Sequence, residues 1–213
     1  MNKNARFIIA INRELGSSGR TIGEKLAARL GVPFYDKALI KALEDKYNLT
    51  VEEIENLKGR NHSWWADFKR VIGMGYAINT SQYYKVSYIN EPDLLTTDEI
   101  YKAEQEILKG MAESESCVIA GRTAFYMFRD HPNHLNILIQ APKEHRIKRI
   151  MNKRDITAEE AEKIIDKVDK MRENYVNNYT GTDRYDARNY DLVFSTADKT
   201  EDQIVDLIMK YIG

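Results

Sequence analysis

"INRELGSSGRTIGEKLAARLG", residues 11–31, is the stretch on which the fold turns. A short apolar run, RFIIAI (6–11), leads into it, and Ile22, Leu26 and Leu30 repeat at four-residue steps after it. A β-branched run followed by a helical period predicts a strand, a loop over residues 12–19 and a helix that starts near Ser18. Gly16 and Gly19 allow left-handed backbone and close approach at that loop. The free N–H groups of a helix start, together with the helix dipole, make such a loop an anion site. The letters approach the phosphate-loop pattern G-x-x-x-x-G-K-[ST]. Gly19 and Thr21 fit it, whereas Glu14 stands in the place of the first glycine and Arg20 in that of the lysine. Arg20 brings its charge as a flat fork rather than a compact ammonium, and Thr21 offers a hydroxyl to Mg²⁺. A plain glycine turn capping a core helix is the competing reading of the same letters.

Outward from this stretch, four more apolar runs read as strands: VPFYD (32–36), SCVIAG (116–121), LNILIQ (135–140) and YDLVFS (190–195). All are short and nearly continuous in apolarity, the mark of parallel strands buried on both faces. Helical patterns separate them. Ile100, Ala103, Ile107 and Met111 line one, with Thr96 and Glu99 as a capping box. Thr157 and Glu160 repeat that box before a long helix whose expected inner face is Ala161, Ile164, Ile165, Val168, Tyr175 and Tyr179. Ile204, Leu207, Ile208 and Tyr211 line the last. Alternation of this kind predicts an α/β domain with a mostly parallel sheet covered on both sides. Residues 47–98 fit poorly. They hold Thr50 and Glu53, Trp64 and Trp65, Tyr83 and Tyr84, and polar and glycine residues, and read as a mostly helical insert, either over a substrate site or as a structural excursion.

The chain has 213 residues, 32 Lys+Arg against 33 Asp+Glu, and a net charge of -1, which argues against a dedicated nucleic-acid binder. Its one cysteine, Cys117, allows no internal disulfide and reads as a small buried hydrophobe within CVIAG. The histidines His62, His131, His134 and His145 lie too far apart to suggest a metal site, and His131–Pro132 reads as a helix-ending turn. No apolar run is long enough for a signal peptide or a membrane span. The default expectation is a reducing, cytoplasmic setting with no membrane partner. The oligomeric state is not written in the sequence.

Four segments, in order, resemble the cytidylate kinase-like branch of the P-loop nucleoside monophosphate kinases: RELGSSGRTIGEKLAARLGVPFYD, CVIAGRTAFYMF, the stretch from IQAPKEHRIKRIM to ENYVNNYTG, and NYDLVFSTADKTEDQIVDLI. The resemblance implies a single domain over residues 1–213 with a three-layer P-loop NTPase fold. That fold has a five-stranded parallel sheet, a helical substrate-binding insert at 47–98 and a lid near 142–156. It implies a kinase using ATP and Mg²⁺ to phosphorylate CMP or a similar small-molecule nucleotide. Residues Gly16, Ser17, Ser18, Gly19, Arg20 and Thr21 would then hold the donor phosphates, with Thr21 as metal ligand. The family's Gly-Arg-Asp motif becomes Gly121, Arg122 and Thr123, and its R-D-x-x-D-x-x-R pattern becomes IDKVDKMR, with Ile165 in the place of the leading arginine and Asp166, Asp169 and Arg172 retained.

Phosphoryl transfer asks of a protein mainly positioning and positive charge, so arginines that can fork onto phosphate oxygens are the candidates. Arg122 follows the third strand at its carboxyl end, where open α/β sheets bind ligands; it reads as a substrate-phosphate contact or a surface ion pair. Arg146 and Arg149 share a helical face in the basic run of residues 143–154 and, in the lid position that the resemblance implies, are with Arg20 the candidate catalytic groups, or else part of a solvated face. Asp169 and Arg172, at i, i+3, would hold acceptor ribose and phosphate, or pair with one another. Asp36, ending the second strand, would hold Mg²⁺ through water or orient an acceptor hydroxyl, or cap a helix beginning near Lys37. Tyr175, Tyr179, Tyr185 and Tyr190 are expected in the core. Two other readings stay open: a non-catalytic nucleotide-binding module, favoured by Glu14 and the missing lysine, and a P-loop kinase with a non-nucleotide acceptor, favoured by Thr123 and Ile165.

Overall fold

The computed structural model describes residues 1–36 and 98–213. The chain divides into two compact units, Met1–Phe34 with Cys117–Gly213, and Tyr35–Ser116. The body of the expected insert, with Trp64 and Trp65, and the Thr96 capping residue lie outside the described residues, as does the helix expected near Lys37.

The described strands are β1 (Ile8–Arg13), β2 (Phe34–Asp36), β3 (Cys117–Ala120), β4 (His134–Gln140) and β5 (Leu192–Ser195). The helices are α1 (Gly19–Leu30), α2 (Asp98–Ser114), α3 (Ala124–Met127), α4 (Lys143–Arg154), α5 (Ala158–Thr180) and α6 (Glu201–Ile212), with one 3₁₀ turn at Ala187–Asn189. The strands form one all-parallel sheet in the order β2-β3-β1-β4-β5. Each expected strand is present. β1 runs two residues further than its apolar letters, because Asn12 and Arg13 stay paired with Leu138 and Ile139 of β4.

The sheet is buried on both faces because Ile8–Ile11 of β1, Cys117–Ala120 of β3 and Leu135, Ile137, Leu138 and Ile139 of β4 supply buried apolar residues to both. Ile9 and Ile11 of β1 join Val118, Leu135, Ile137 and Ile139 on one face, against Ile22 and Leu26 of α1 and Ile204, Val205 and Ile208 of α6. Ile8 and Ala10 point to the other face and are equally buried. Each such Ile or Leu contributes about 1.5–3 kcal/mol by leaving water. Lys25–Asp202 (2.8 Å) and Arg29–Asp206 tie the outer edges of α1 and α6.

One expectation about a face is corrected. In α6 the inner residues are Ile204, Val205, Ile208 and Ile212, while Leu207 and Tyr211 are exposed, at 41% and 56%. Asp202 and Asp206 must face α1's cations, and that rotation turns Leu207 and Tyr211 outward. In α5 the buried set is Ala161, Ile165, Val168, Asp169 and Val176, with Ile164, Tyr175 and Tyr179 only half-buried. The Thr157–Glu160 capping box is formed: Glu160 N–H donates to Thr157 Oγ1 at 3.3 Å and Thr157 N–H to Glu160 Oε2 at 2.9 Å. Thr200 and Gln203 form a second one at α6. Cys117 is fully buried, and among the described residues no helix is long and apolar enough to cross a membrane.

The unit of residues 35–116 contributes the end of β2 and α2. Ala103, Ile107, Leu108, Met111 and Ala112 are its buried hydrophobic helical residues, and the Tyr35 hydroxyl donates to Glu115 at 2.6 Å.

Candidate functional site

The loop between β1 and α1 has two differently built halves. Its upstream half is held by side chains from three other elements. Glu14 Oε2 accepts the Ala141 N–H at 3.0 Å and lies 3.5 Å from Arg146 Nε. Leu15 N–H donates to Asp169 Oδ1 at 3.0 Å. Arg146 of α4 stands between these carboxylates: its Nε donates to Ala141 O (3.0 Å) and its Nη1 to Asp169 Oδ2 (2.5 Å) and Leu15 O (3.4 Å). Arg146 and Asp169 are 8% and 9% exposed, so this pair is held out of water by hydrogen bonds on both partners. Ser17 Oγ donates to Glu14 O and Ile139 O, and Thr196, past β5, donates to Ser17 O at 3.1 Å.

Beneath that half lies Arg184, 0% exposed. Its Nη2 donates to Arg13 O (2.7 Å) and Asn12 Oδ1 (3.3 Å), and its Nη1 to Asp169 O (3.4 Å). Arg172 Nη1 also donates to Arg13 O, at 3.4 Å, and lies 3.6 Å from Asp169 Oδ1. Tyr190 closes the arrangement. Its hydroxyl accepts from Asn12 Nδ2 and donates to Arg184 O, both at 2.6 Å. Burial pushes the Tyr190 phenol up to about 12, against a smaller lowering by the Asn12 hydrogen bond.

The downstream half is open. Gly16 (φ 85°) and Ser18 (φ 63°) are left-handed, and α1 begins at Gly19. Ser18 occupies the N-cap position, yet its side chain makes no capping bond. The first turn-closing bond is Ile22 N–H to Ser18 O, and the N–H groups of Ser18, Gly19 and Thr21 donate to no acceptor among the described residues. Such exposed donors at a helix start suit phosphate oxygens. Arg20 Nη2 lies 2.8 Å from Glu24 Oε1, one turn along α1. Lys153 of α4 belongs to the same cationic neighbourhood: partial burial, then Arg149, Arg20 and Arg154, push its ammonium below the ordinary lysine range. Arg149 Nη2 is 3.0 Å from Glu201 Oε1.

A second left-handed run follows β3. Gly121, Arg122 and Thr123 have φ of 83°, 56° and 55°, and the Gly121 N–H donates to Ile11 O at 3.0 Å. Two consecutive non-glycine residues in this region cost roughly 1–2 kcal/mol each, and strain of this kind gathers at functional sites. Arg122 is buried and its guanidinium lies 5.1 Å from the centre of the Tyr175 ring.

The structure thus brings together Gly16, Ser17, Ser18, Gly19, Thr21, Arg146, Asp169 and Arg172 around one loop. Arg149 stands with Glu201, and Arg122 with Tyr175. Asp36, 3% exposed, ends β2 in the other unit. Asn12, Arg184 and Thr196, which no motif marks, hold the loop from below together with Tyr190, expected only as a core residue. Among the four tyrosines, Tyr185 is 38% exposed rather than part of the core, because its ring lies outside Arg184, 5.0 Å from that guanidinium.

A glycine loop joining a central parallel strand to a helix, in a sheet ordered 2-3-1-4-5, defines a P-loop kinase fold. The chain belongs to the cytidylate kinase-like family, which matches residues 8–198. Among solved structures it is similar to an uncharacterized protein from Eubacterium ventriosum, with 25% identity, a TM-score of 0.69, and 97% of this chain and 98% of that one covered. It is also similar in fold to shikimate kinase from Bacteroides thetaiotaomicron, at 15% identity and a TM-score of 0.51, covering 98% and 99% of the two chains. No match was found among curated protein sequences.

Proposed function

We propose that the protein transfers a phosphoryl group from ATP to a nucleoside monophosphate such as CMP. The observation that carries this reading is the row of N–H groups at Ser18, Gly19 and Thr21 that meet no acceptor among the described residues, presented by two left-handed residues whose conformation is fixed from behind. The donor set fits a polyphosphate. Those N–H groups would hold its oxygens, and the Thr21 hydroxyl, half-buried beside them, would face a Mg²⁺ ion. Bound ATP and Mg²⁺ would supply the transferable phosphoryl group and neutralise charge on it.

The chain's own residues then divide the work. Arg20 and Arg149, with Lys153, supply positive charge around the start of α1. Arg146 orients the loop through Ala141, Leu15 and Asp169. On the acceptor side stand Arg122 and Arg172, both planar forks suited to a monophosphate. Asp36 is the remaining carboxylate proposed for metal or acceptor.

A second reading has its own observation. Asp169, the residue proposed to hold acceptor ribose, already has Oδ1 bonded to Leu15 N–H and Oδ2 to Arg146. With Thr123 in place of the family's acid, this favours a P-loop kinase whose acceptor is not a nucleotide. Both readings are tested by incubating the protein with Mg-ATP and a panel of nucleoside monophosphates, nucleosides and small alcohols. ADP release that depends on CMP or another monophosphate supports the first, and release confined to a nucleoside or alcohol supports the second. No acceptor-dependent release with any compound overturns kinase activity.

A further inference from the structure

The side chain of Arg13 runs across the start of α1. A Cβ placed on Gly19 would sit 2.5 Å from Arg13 Cβ and 3.1 Å from its Cγ, and a Cβ on Gly121 would collide with its Nη1. Arg13 therefore threads between two glycines, one at the first residue of α1 and one just past β3, and ends beside the Gly121–Arg122 turn. Gly19 is not left-handed; what it provides is room for this side chain.

The backbone also indicates how the loop lines up with the phosphate-loop pattern. In G-x-x-x-x-G-K-[ST] the second glycine admits the left-handed turn ahead of the helix. Here the left-handed residue directly before α1 is Ser18. Counting back five places from Ser18 puts Arg13 where the pattern has its first glycine; the residues after Ser18 put Gly19 where it has its lysine and Arg20 where it has Ser or Thr, so the Thr21 hydroxyl proposed for Mg²⁺ stands one place beyond the pattern's own. The cation and the glycine have exchanged places: the residue that should be small is arginine, the one that should be lysine is glycine, and the two are in contact.

We infer that Arg13, rather than Arg20, is the cation of this loop that binds the donor polyphosphate, reaching the site from the end of β1 instead of from α1. Its backbone is anchored for the task, since Arg184 and Arg172 both donate to the Arg13 carbonyl. Arg20 by contrast points along the helix to Glu24. This inference rests on the reading of the loop as an ATP site.

The test is calorimetric titration with ATP and with inorganic tripolyphosphate, without added divalent metal, on the wild type, Arg13→Met, Arg20→Met and the paired exchange Arg13→Gly/Gly19→Lys. Melting curves establish that each variant is folded. Arg13→Met should weaken both ligands roughly tenfold or more, the loss expected for a charge-assisted contact. Arg20→Met should weaken them less. The paired exchange, which puts an ammonium back on the helix and removes the obstructing side chain, should bind within about threefold of the wild type. Unchanged binding in Arg13→Met, a larger loss in Arg20→Met, or a folded paired exchange that binds neither ligand would overturn the inference while leaving the ATP site standing. A wild type that binds neither ATP nor tripolyphosphate overturns the kinase reading itself, and this inference with it.

Discussion

The two halves of the loop after β1 are adjacent in sequence and opposite in construction. Residues 12–17 are gripped by Ala141, Arg146, Asp169, Arg184, Tyr190 and Thr196, drawn from segments more than a hundred residues away. Residues 18–21 have three N–H groups without a described acceptor and cationic side chains standing round them. The first half uses its hydrogen-bonding capacity on the protein itself. The second keeps its own in reserve, and the rigidity of the first lets it do so without collapsing. Preorganised donors cost nothing to rearrange when charge arrives, but something must hold them apart until then.

That contrast is broken most severely by removing Asp169. Asp169→Ala leaves buried Arg146 with only the more distant Glu14 carboxylate and Leu15 N–H without its acceptor. The expected loss is about 3–5 kcal/mol, seen in thermal denaturation as a drop in Tm of about 6–20 °C. If stability were unchanged, the upstream half would not be the rigid one.

Tyr190→Phe is expected to cost less, about 1–3 kcal/mol, by orphaning Asn12 Nδ2 and the Arg184 carbonyl. It also has a pH signature. The Tyr190 phenol is raised from 10.0 to about 12 in the folded chain, so its contribution is fully present below pH 10 and is lost as pH rises toward 12. Denaturation profiles over that range should fall more steeply for the wild type than for Tyr190→Phe. Equal slopes would remove Tyr190 from the bracing.

The smallest effect is expected on the open side, and with the opposite sign. Lys153 has a lowered pKa, first from partial burial and then from Arg149, Arg20 and Arg154. Its charged form is disfavoured by folding, so stability should rise with pH as the folded protein sheds that proton before the unfolded chain does, below 10.5. Lys153→Gln should raise Tm by at most about 2 °C, less in high salt. A destabilised variant would mean that Lys153 is part of the brace rather than of the reserve.

Much of the fold could be read from the letters, for identifiable reasons. Five short apolar runs with helical periods between them specify a parallel sheet, and each run became a strand. The face of α6 was harder, because Ile204, Val205, Leu207, Ile208, Tyr211 and Ile212 offer two overlapping stripes of the same period. Asp202 and Asp206, paired with Lys25 and Arg29, choose between them, and that choice is a tertiary fact. Thr200 and Gln203 could have been found, since they follow the same T-x-x-E/Q rule that located Thr157. At the site, Gly16 marked the left-handed loop, but the second left-handed residue is Ser18 and not Gly19, and the loop's partners were not legible. Arg184 sits in an irregular stretch with no motif or period, Tyr190 reads only as a core residue heading the last strand, and only the folded chain brings them to Asn12 and Arg13. Arg13 was hidden differently: its role depends on two side chains that are missing, at Gly19 and Gly121.

The position of β1 in the sheet also fixes the order in which the protein can be made. Ile8, Ile9, Ala10 and Ile11 are made well ahead of Cys117 and His134, where their sheet partners begin. Its core face is not sealed until Ile204 and Ile208 have followed. Four consecutive core residues must therefore wait, unpaired, until those later segments have been made. Such long-range closure slows folding and leaves apolar chain available to wrong partners. Whatever keeps the nascent chain soluble has to act on its first strand, long before a phosphate loop exists to protect.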